Sequence, residues 1–369
     1  MPATSPHSKL KIGVIGAGAF GGWTALELAR RGARVTLFDA WGPGNSRASS
    51  GGETRIIRAT YGPDRIYTRM AARALKLWRK NQARWRLELV HPTGVLWMAS
   101  DHDAYEKAAM PTLHDEGVRY EILQVKALDK RFPQVNFEGV RWAIFEPEGG
   151  YLLARQASEA VRRAFVREGG EYRELPVAPG PIRRGALSRV RAAGAGEYRA
   201  DRWLFACGPT LQEVFFFGAP SGERRFDEGR LPVWIDYGER KFYGIPGNQG
   251  RGLKVASDVR GSPFDPTSGE RTHTEEGLQA ARGYLEFRFP SMRGAPLLES
   301  RVCQYEQTRD GHFILDRHPE ARNVWIAGGG SGHGFKHGPA LGEMAARMLL
   351  EVLPPCAEFA LSRFTRTAS

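Results

Sequence analysis

The chain has 369 residues, more than one hydrophobic core usually serves, so two closely joined domains are expected. With 41% hydrophobic residues and no apolar run approaching the roughly 18 residues of a membrane span, it is not expected to enter a bilayer. The net charge of +12 suits anionic partners, yet basic residues such as Arg69, Arg73, Arg79 and Arg84 are spread along helices, and no aromatic-basic module points to nucleic acid. Cys207, Cys303 and Cys356 are too few and too scattered for a disulfide framework or a zinc cluster, and no metal site is expected. Met1 to Ser8 carries no apolar leader, which makes the cytoplasm the expected compartment.

Lys9 to Ile15 reads as a buried strand, and Gly16-Ala17-Gly18-Ala19-Phe20-Gly21 follows it at once. An apolar helix then runs through Ala29, turns at Gly32 and leads into a second strand, Arg34 to Phe38, which ends at Asp39, 23 positions after Gly16. A glycine run that leaves a strand, opens a helix and precedes an acidic strand end is the Rossmann arrangement for a dinucleotide. Gly16 and Gly18 let the backbone approach a pyrophosphate, Gly21 lets helix and sheet pack closely, and the helix N-terminus favours negative charge. Asp39 would bond the adenosine ribose. Ala17, Phe20 and Ala40 share these turns and are assigned to the same site.

Trp203 to Ala206 before Cys207-Gly208, and Val324 to Ala327 before Gly328-Gly329-Gly330-Ser331-Gly332, repeat the pattern of strand then glycine. All three strands are predicted to lie parallel in one sheet, with their turns converging on one ligand. A C-terminal helix carries Leu341, Met344, Ala345, Met348, Leu349 and Val352 at core-facing spacing, and Pro354-Pro355 is predicted to end it. Gly94 to Met98, Trp142 to Phe145, Val214 to Phe217, Val233 to Tyr237 and Phe242-Tyr243 are aromatic and β-branched runs expected in a separate antiparallel sheet. The fold class is therefore α/β: a discontinuous Rossmann-type cofactor domain with a parallel sheet over 1–90, 147–212 and 296–369, and an α+β substrate domain over 91–146 and 213–295.

Three separated motifs carry a resemblance. Gly51-Gly52-Glu53-Thr54-Arg55-Ile56-Ile57-Arg58, Arg301-Val302-Cys303-Gln304-Tyr305 and Gly332-His333-Gly334-Phe335-Lys336 together resemble the monomeric sarcosine oxidases and N-methyl amino acid oxidases among the D-amino-acid-oxidase-like flavoproteins. The resemblance spans nearly the whole chain. It implies FAD, joined covalently through the Cys303 sulfur, with Ser50, Thr54, Arg55, Val177, Cys207, Gly208, Gly330, Gly332, His333, Gly334, Phe335 and Lys336 around it. It further implies that Arg58 and Lys336 bind the substrate carboxylate, that Tyr243 lines the pocket, and that Lys254 assists reaction with dioxygen. A guanidinium suits a planar carboxylate, and a fixed cation stabilises superoxide as it forms.

Two departures bear on the substrate. Asp258 stands where sarcosine oxidases carry a histidine, and Ser50-Gly51 where they carry a histidine pair, so the pocket favours an ammonium or hydroxyl over a bare N-methyl group. A segment after Pro209 also looks shortened by about a helix and loop. The resemblance implies oxidation of the C–N bond of a small N-alkyl or cyclic amino acid to an imine, with dioxygen giving hydrogen peroxide. Asp258, Tyr243 and Lys254 are the candidate catalytic residues. The alternatives are a dehydrogenase of the same fold that passes electrons to a quinone or carrier, and a basic FAD-containing RNA-binding or RNA-modifying protein, which only the charge supports. The oligomeric state is open, with a monomer favoured.

Overall fold

The computed structural model describes residues 7, 9–192, 194–207, 211–259, 269, 271–304 and 306–364. Lys11–Ile15 is buried at every position after Lys11, as a strand covered on both faces must be. Among the described residues it lies inside a six-stranded sheet ordered Ile314–Arg317, Val324–Gly328, Arg202–Phe205, Lys11–Ile15, Arg34–Asp39 and Glu171–Glu174. Its pairings are parallel, and only the edge strand Ile314–Arg317 runs antiparallel. The three strands predicted to precede glycine turns thus point the same way, and their carboxyl ends share one sheet edge.

Helix Ala19–Arg30 covers one face of this sheet and packs against helix Gly338–Leu349 through Trp23, whose indole meets Trp78 edge-on with 5.0 Å between centroids. The C-terminal helix stops at Leu349, so Val352 lies past its end and is 55% exposed. The apolar spacing overshoots because a periodic pattern continues through a frayed last turn, and Pro354-Pro355 follows the stop instead of causing it. Helix Arg65–Trp85 buries Tyr67, Met70, Ala71, Ala74, Leu77 and Trp78 along one stripe. Its outward arginines are paired: Arg69 with Glu116, Arg73 with Glu343, Arg79 with Glu148 and Arg84 with Glu168. Each such exposed pair is worth only about 0–1 kcal/mol, so this face is solvated surface.

The second large sheet has eight strands among the described residues: Leu297–Gln304, Leu211–Phe217, Leu253–Ser257, Phe242–Ile245, Val233–Asp236, Val95–Ala99, Trp142–Glu146 and Glu121–Gln124. All five predicted aromatic runs fall in it, but it is mixed, because Val233–Asp236 pairs in parallel with Val95–Ala99. Leu297–Gln304 pairs with Leu211–Phe217, so the segment beginning at 296 enters this sheet before the chain returns to the parallel one. Strand-forming composition alone does not tell which sheet a strand will join. Helix Glu275–Arg288 is tied beneath the sheet by a buried ion pair, Arg288 Nη2 to Asp236 Oδ2 at 2.6 Å. A small sheet of Thr54–Ile57, Gly150–Leu153 and Val90–His91 leads directly to Arg58. Among the described residues no helix is long and apolar enough to cross a membrane.

Candidate active site

The first glycine turn can be built only from these residues. Gly16 has φ +101°, and a Cβ there would sit 2.3 Å from the Ala206 carbonyl oxygen; one at Gly21 would sit 1.9 Å from the Gly16 carbonyl oxygen. Helix Ala19–Arg30 has no acidic residue in its first turn, and Ser50 Oγ accepts from Ala19 N at 3.1 Å. Asp39 Oδ2 accepts from Ala17 N at 2.7 Å and Oδ1 from Trp41 N at 3.0 Å. The carboxylate therefore braces the glycine loop from the neighbouring strand, with the Gly42 N–H also turned toward it, and an ionised carboxylate with three donors can still accept one more from a hydroxyl. Burial raises the Asp39 carboxyl above its usual range, although these backbone donors oppose the shift.

A cavity of about 600 Å³ opens at this edge of the sheet. Of the residues assigned to the cofactor, Gly16, Gly18, Phe20, Asp39, Ala40, Ser50, Arg55, Val177, Cys207, Gly330, Gly332, Gly334 and Phe335 line it. Ala17 and Gly21 shape the turn from behind, and Gly208 lies outside the described residues. Ser49 Oγ in the wall and Thr54 Oγ1 nearby are buried without a hydrogen-bond partner, which suits a polar ligand reaching this end. A glycine turn at a helix N-terminus, an acid at the ribose position and unmet polar atoms at or near the wall of a chamber of about 600 Å³ fit FAD. Cys303 lines neither this cavity nor the next. It is 9% exposed and packs among Val214, Phe216 and Ala256, with Tyr243 beside them.

A second cavity of about 270 Å³ holds Arg58, Tyr243, Lys254, Asp258, His333 and Lys336 together in its wall. Arg55, Gly332 and Phe335 line both chambers, so the two spaces share a wall. Burial first and then the Arg55 guanidinium pull the Lys254 ammonium down to about 7, and its Nζ donates to the Thr54 carbonyl at 3.3 Å. Arg58 lies over the rings of Tyr61 and Trp97, 4.4 and 4.5 Å from their centroids, and donates to the Thr60 carbonyl. Lys336 Nζ donates to the Tyr61 hydroxyl at 2.9 Å and to the His333 carbonyl at 3.0 Å. Trp78 Nε1 donates to the Lys336 carbonyl at 2.9 Å and so fixes that backbone against helix Arg65–Trp85.

Several residues of the site carry no motif. Glu146 is buried, and its carboxylate accepts from Ala59 N at 2.7 Å, Thr60 N at 2.9 Å and Thr60 Oγ1 at 2.7 Å. It holds the loop that presents Arg58 and Tyr61 from 86 positions away, a pairing no local pattern reveals. Tyr61 stands three residues beyond Arg58, and its hydroxyl meets His337 Nε2 at 2.8 Å and His333 Nδ1 at 3.3 Å. His333 Nε2 lies 3.2 Å from the Gly311 carbonyl, which can only accept, so Nε2 bears the proton and Nδ1 faces the Tyr61 hydroxyl as an acceptor, in competition with the closer His337 Nε2 for its one proton. Burial, with Lys336 next in effect, depresses the His333 imidazole to about 3 and keeps it neutral. Glu306 lines the larger cavity, and burial pushes its carboxyl up to about 7 against the N–H groups of Gly329 and Gly330.

A parallel sheet whose strand ends cradle a dinucleotide, opening onto a smaller pocket lined by cations and aromatic rings, defines an oxidoreductase that carries its redox group in the larger chamber. Residues 11–348 match the family described as FAD dependent oxidoreductase, and the chain belongs to that family. It is 29% identical over 363 residues to the monomeric sarcosine oxidase of Bacillus sp. (strain B-0618), with 91% of each chain covered. It is 27% identical over 378 residues to the N-methyl-L-tryptophan oxidase of Salmonella arizonae, covering 97% of this chain and all of that one. The fold is similar to that of L-proline dehydrogenase from P. horikoshii, with a TM-score of 0.85, 22% identity and coverage of 97% and 98%.

Proposed function

We propose that the protein oxidises the C–N bond of a small N-alkyl or cyclic amino acid to an imine and passes the electrons to dioxygen, which leaves as hydrogen peroxide. The observation that carries this reading is the wall shared by the two cavities, with Arg58 and Lys336 both lining the smaller one. The named activities of the relatives from Bacillus and Salmonella agree with it. The cofactor domain would comprise 1–90, 147–210 and 305–369, with 91–146 and 211–304 forming the substrate domain, because Leu211–Phe217 and Leu297–Gln304 pair in the eight-stranded sheet.

When bound, FAD supplies the two-electron acceptor for the substrate C–H bond. Gly16, Gly18 and the N-terminus of helix Ala19–Arg30 would hold its pyrophosphate, Asp39 its ribose, and Cys303 its covalent link. Arg58 and Lys336 hold the carboxylate and so fix which C–H bond faces the shared wall. Tyr61, Trp97, Tyr105 and Tyr243 line the pocket with rings that limit water around the amine. Lys254 places a buried amine where dioxygen gains charge. Asp258, exposed at the end of strand Leu253–Ser257, sets an acid opposite the cations and favours an amine-bearing ligand. Peroxide release in air over a panel of N-methyl, cyclic and ordinary amino acids tests the reading, and silence across the panel refutes it. Yellow colour that stays with acid-precipitated protein, and is lost in Cys303→Ala, tests the attachment.

A further inference from the structure

Lys336 is 5% exposed, and both hydrogen-bond partners of its Nζ are uncharged: the Tyr61 hydroxyl and the His333 carbonyl. The Arg58 guanidinium lies over the same Tyr61 ring, 4.4 Å from the centroid against 5.4 Å for Lys336 Nζ. Arg55, Asp64, Tyr67, Tyr105, Lys254, Asp310 and His312 line the same pocket farther round its wall, and the groups next to this amine are fewer. Arg58 and Tyr61 face it from the loop after Thr54–Ile57, His333 and His337 from its own turn, Glu146 from Trp142–Glu146 and Asp258 from beyond Leu253–Ser257. Neither acid is bonded to it. The Glu146 oxygens are engaged by Ala59 and Thr60, and Asp258 is exposed. Both imidazoles are held neutral chiefly by burial, which does not depend on the charge of Lys336. An ammonium with a guanidinium beside it, no carboxylate bonded and little water is costly.

We propose that Lys336 rests as a neutral amine in the substrate-free pocket and takes up a proton when a carboxylate binds, the proton coming from the ligand's own ammonium when that ligand is a zwitterionic amino acid. The N–H bond of the ammonium breaks, its electron pair stays on the substrate nitrogen, and a new N–H bond forms at Lys336 Nζ. Site and ligand together keep their charge. One transfer thus creates the cation that pairs with the carboxylate and frees the nitrogen lone pair that amine oxidation needs. Burial, followed by Arg58, also holds the lysine well below its usual value. The inference rests on the reading that Arg58 and Lys336 bind the substrate carboxylate.

Calorimetry of the holoenzyme at pH 8, in two buffers of different ionisation enthalpy, counts the protons taken up on binding. Methoxyacetate has a carboxylate and no amine, and it should bind with uptake of about one proton and lose about tenfold in affinity for each pH unit above 8. The zwitterion 2-aminoisobutyrate, which lacks an α-hydrogen and is not oxidised there, should bind with no net uptake. Lys336→Arg, always charged, should bind methoxyacetate without uptake. Methoxyacetate binding to the unaltered enzyme with no proton uptake overturns the proposal and leaves the carboxylate site standing. Uptake of a proton with 2-aminoisobutyrate overturns the internal transfer. Failure of both ligands to bind removes the carboxylate site and this inference together.

Discussion

Replacing Glu146 by Gln tests whether one distant carboxylate holds the substrate loop. In the native protein three donors converge on it, from Ala59 N, Thr60 N and Thr60 Oγ1. An amide can accept from the two Thr60 groups with its single oxygen, but its NH2 must then face the Ala59 N–H, donor against donor. One hydrogen bond to a charged group, worth about 1.5–3 kcal/mol, is lost and the other two weaken, while relief from burying a charge offsets part of this. A net loss of about 2–3 kcal/mol follows. For 369 residues the unfolding entropy is on the order of 0.8 kcal/mol per kelvin, so the apparent Tm should fall by about 3 °C. Because Arg58 and Tyr61 flank the loop, KM should rise by about tenfold while bound-flavin absorbance stays the same. Thermal denaturation alongside steady-state kinetics reads both. An E146Q protein with unchanged melting and unchanged KM would refute the claim that Glu146 positions the loop.

Lys254→Met should slow reoxidation of the reduced enzyme by about 10²–10³-fold, as loss of one preorganised electrostatic donor does, with substrate affinity little changed; anaerobic reduction followed by stopped-flow mixing with oxygen measures it. In the unaltered enzyme that step should weaken as pH rises through about 7, where Lys254 loses its proton, and the dependence should vanish in the variant. Glu306 ionises near 7 when folded against 4.5 unfolded, so the native state holds the extra proton between those values and its contribution to stability is lost as pH rises through about 7. FAD binding to the apoprotein should likewise weaken above pH 7, by fluorescence titration, and Glu306→Gln should flatten both trends. Gly21→Ala would put a Cβ 1.9 Å from the Gly16 carbonyl oxygen and should abolish cofactor retention on gel filtration.

The cofactor half of the molecule was legible because its signals are local. Gly16, Gly21 and Asp39 sit within one βαβ unit, where strand, turn and helix follow one another in the chain and the glycines answer to backbone contacts. Arg58 and Lys336 were legible through motifs, and the fold brings them into one wall although 278 positions separate them. Glu146, Tyr61 and His337 were not, since their roles arise only when the mixed sheet, the Thr54–Ile57 strand and the turn before the last helix meet. The placement of Leu297–Gln304 was hidden for a related reason: a strand's composition records its burial, not its partner. Cys303 shows the opposite limit. A motif marks it, and the fold buries it among apolar side chains outside either cavity lining.

The shared partition of Arg55, Gly332 and Phe335 means that whatever occupies the larger chamber also shapes one side of the smaller one. A flavin packed against those three residues would fix that side in place, and an amino acid entering before it would meet a wall braced from one face only. Loading should therefore be ordered, prosthetic group first, and carboxylate ligands that the yellow protein captures should pass through the colourless one unheld.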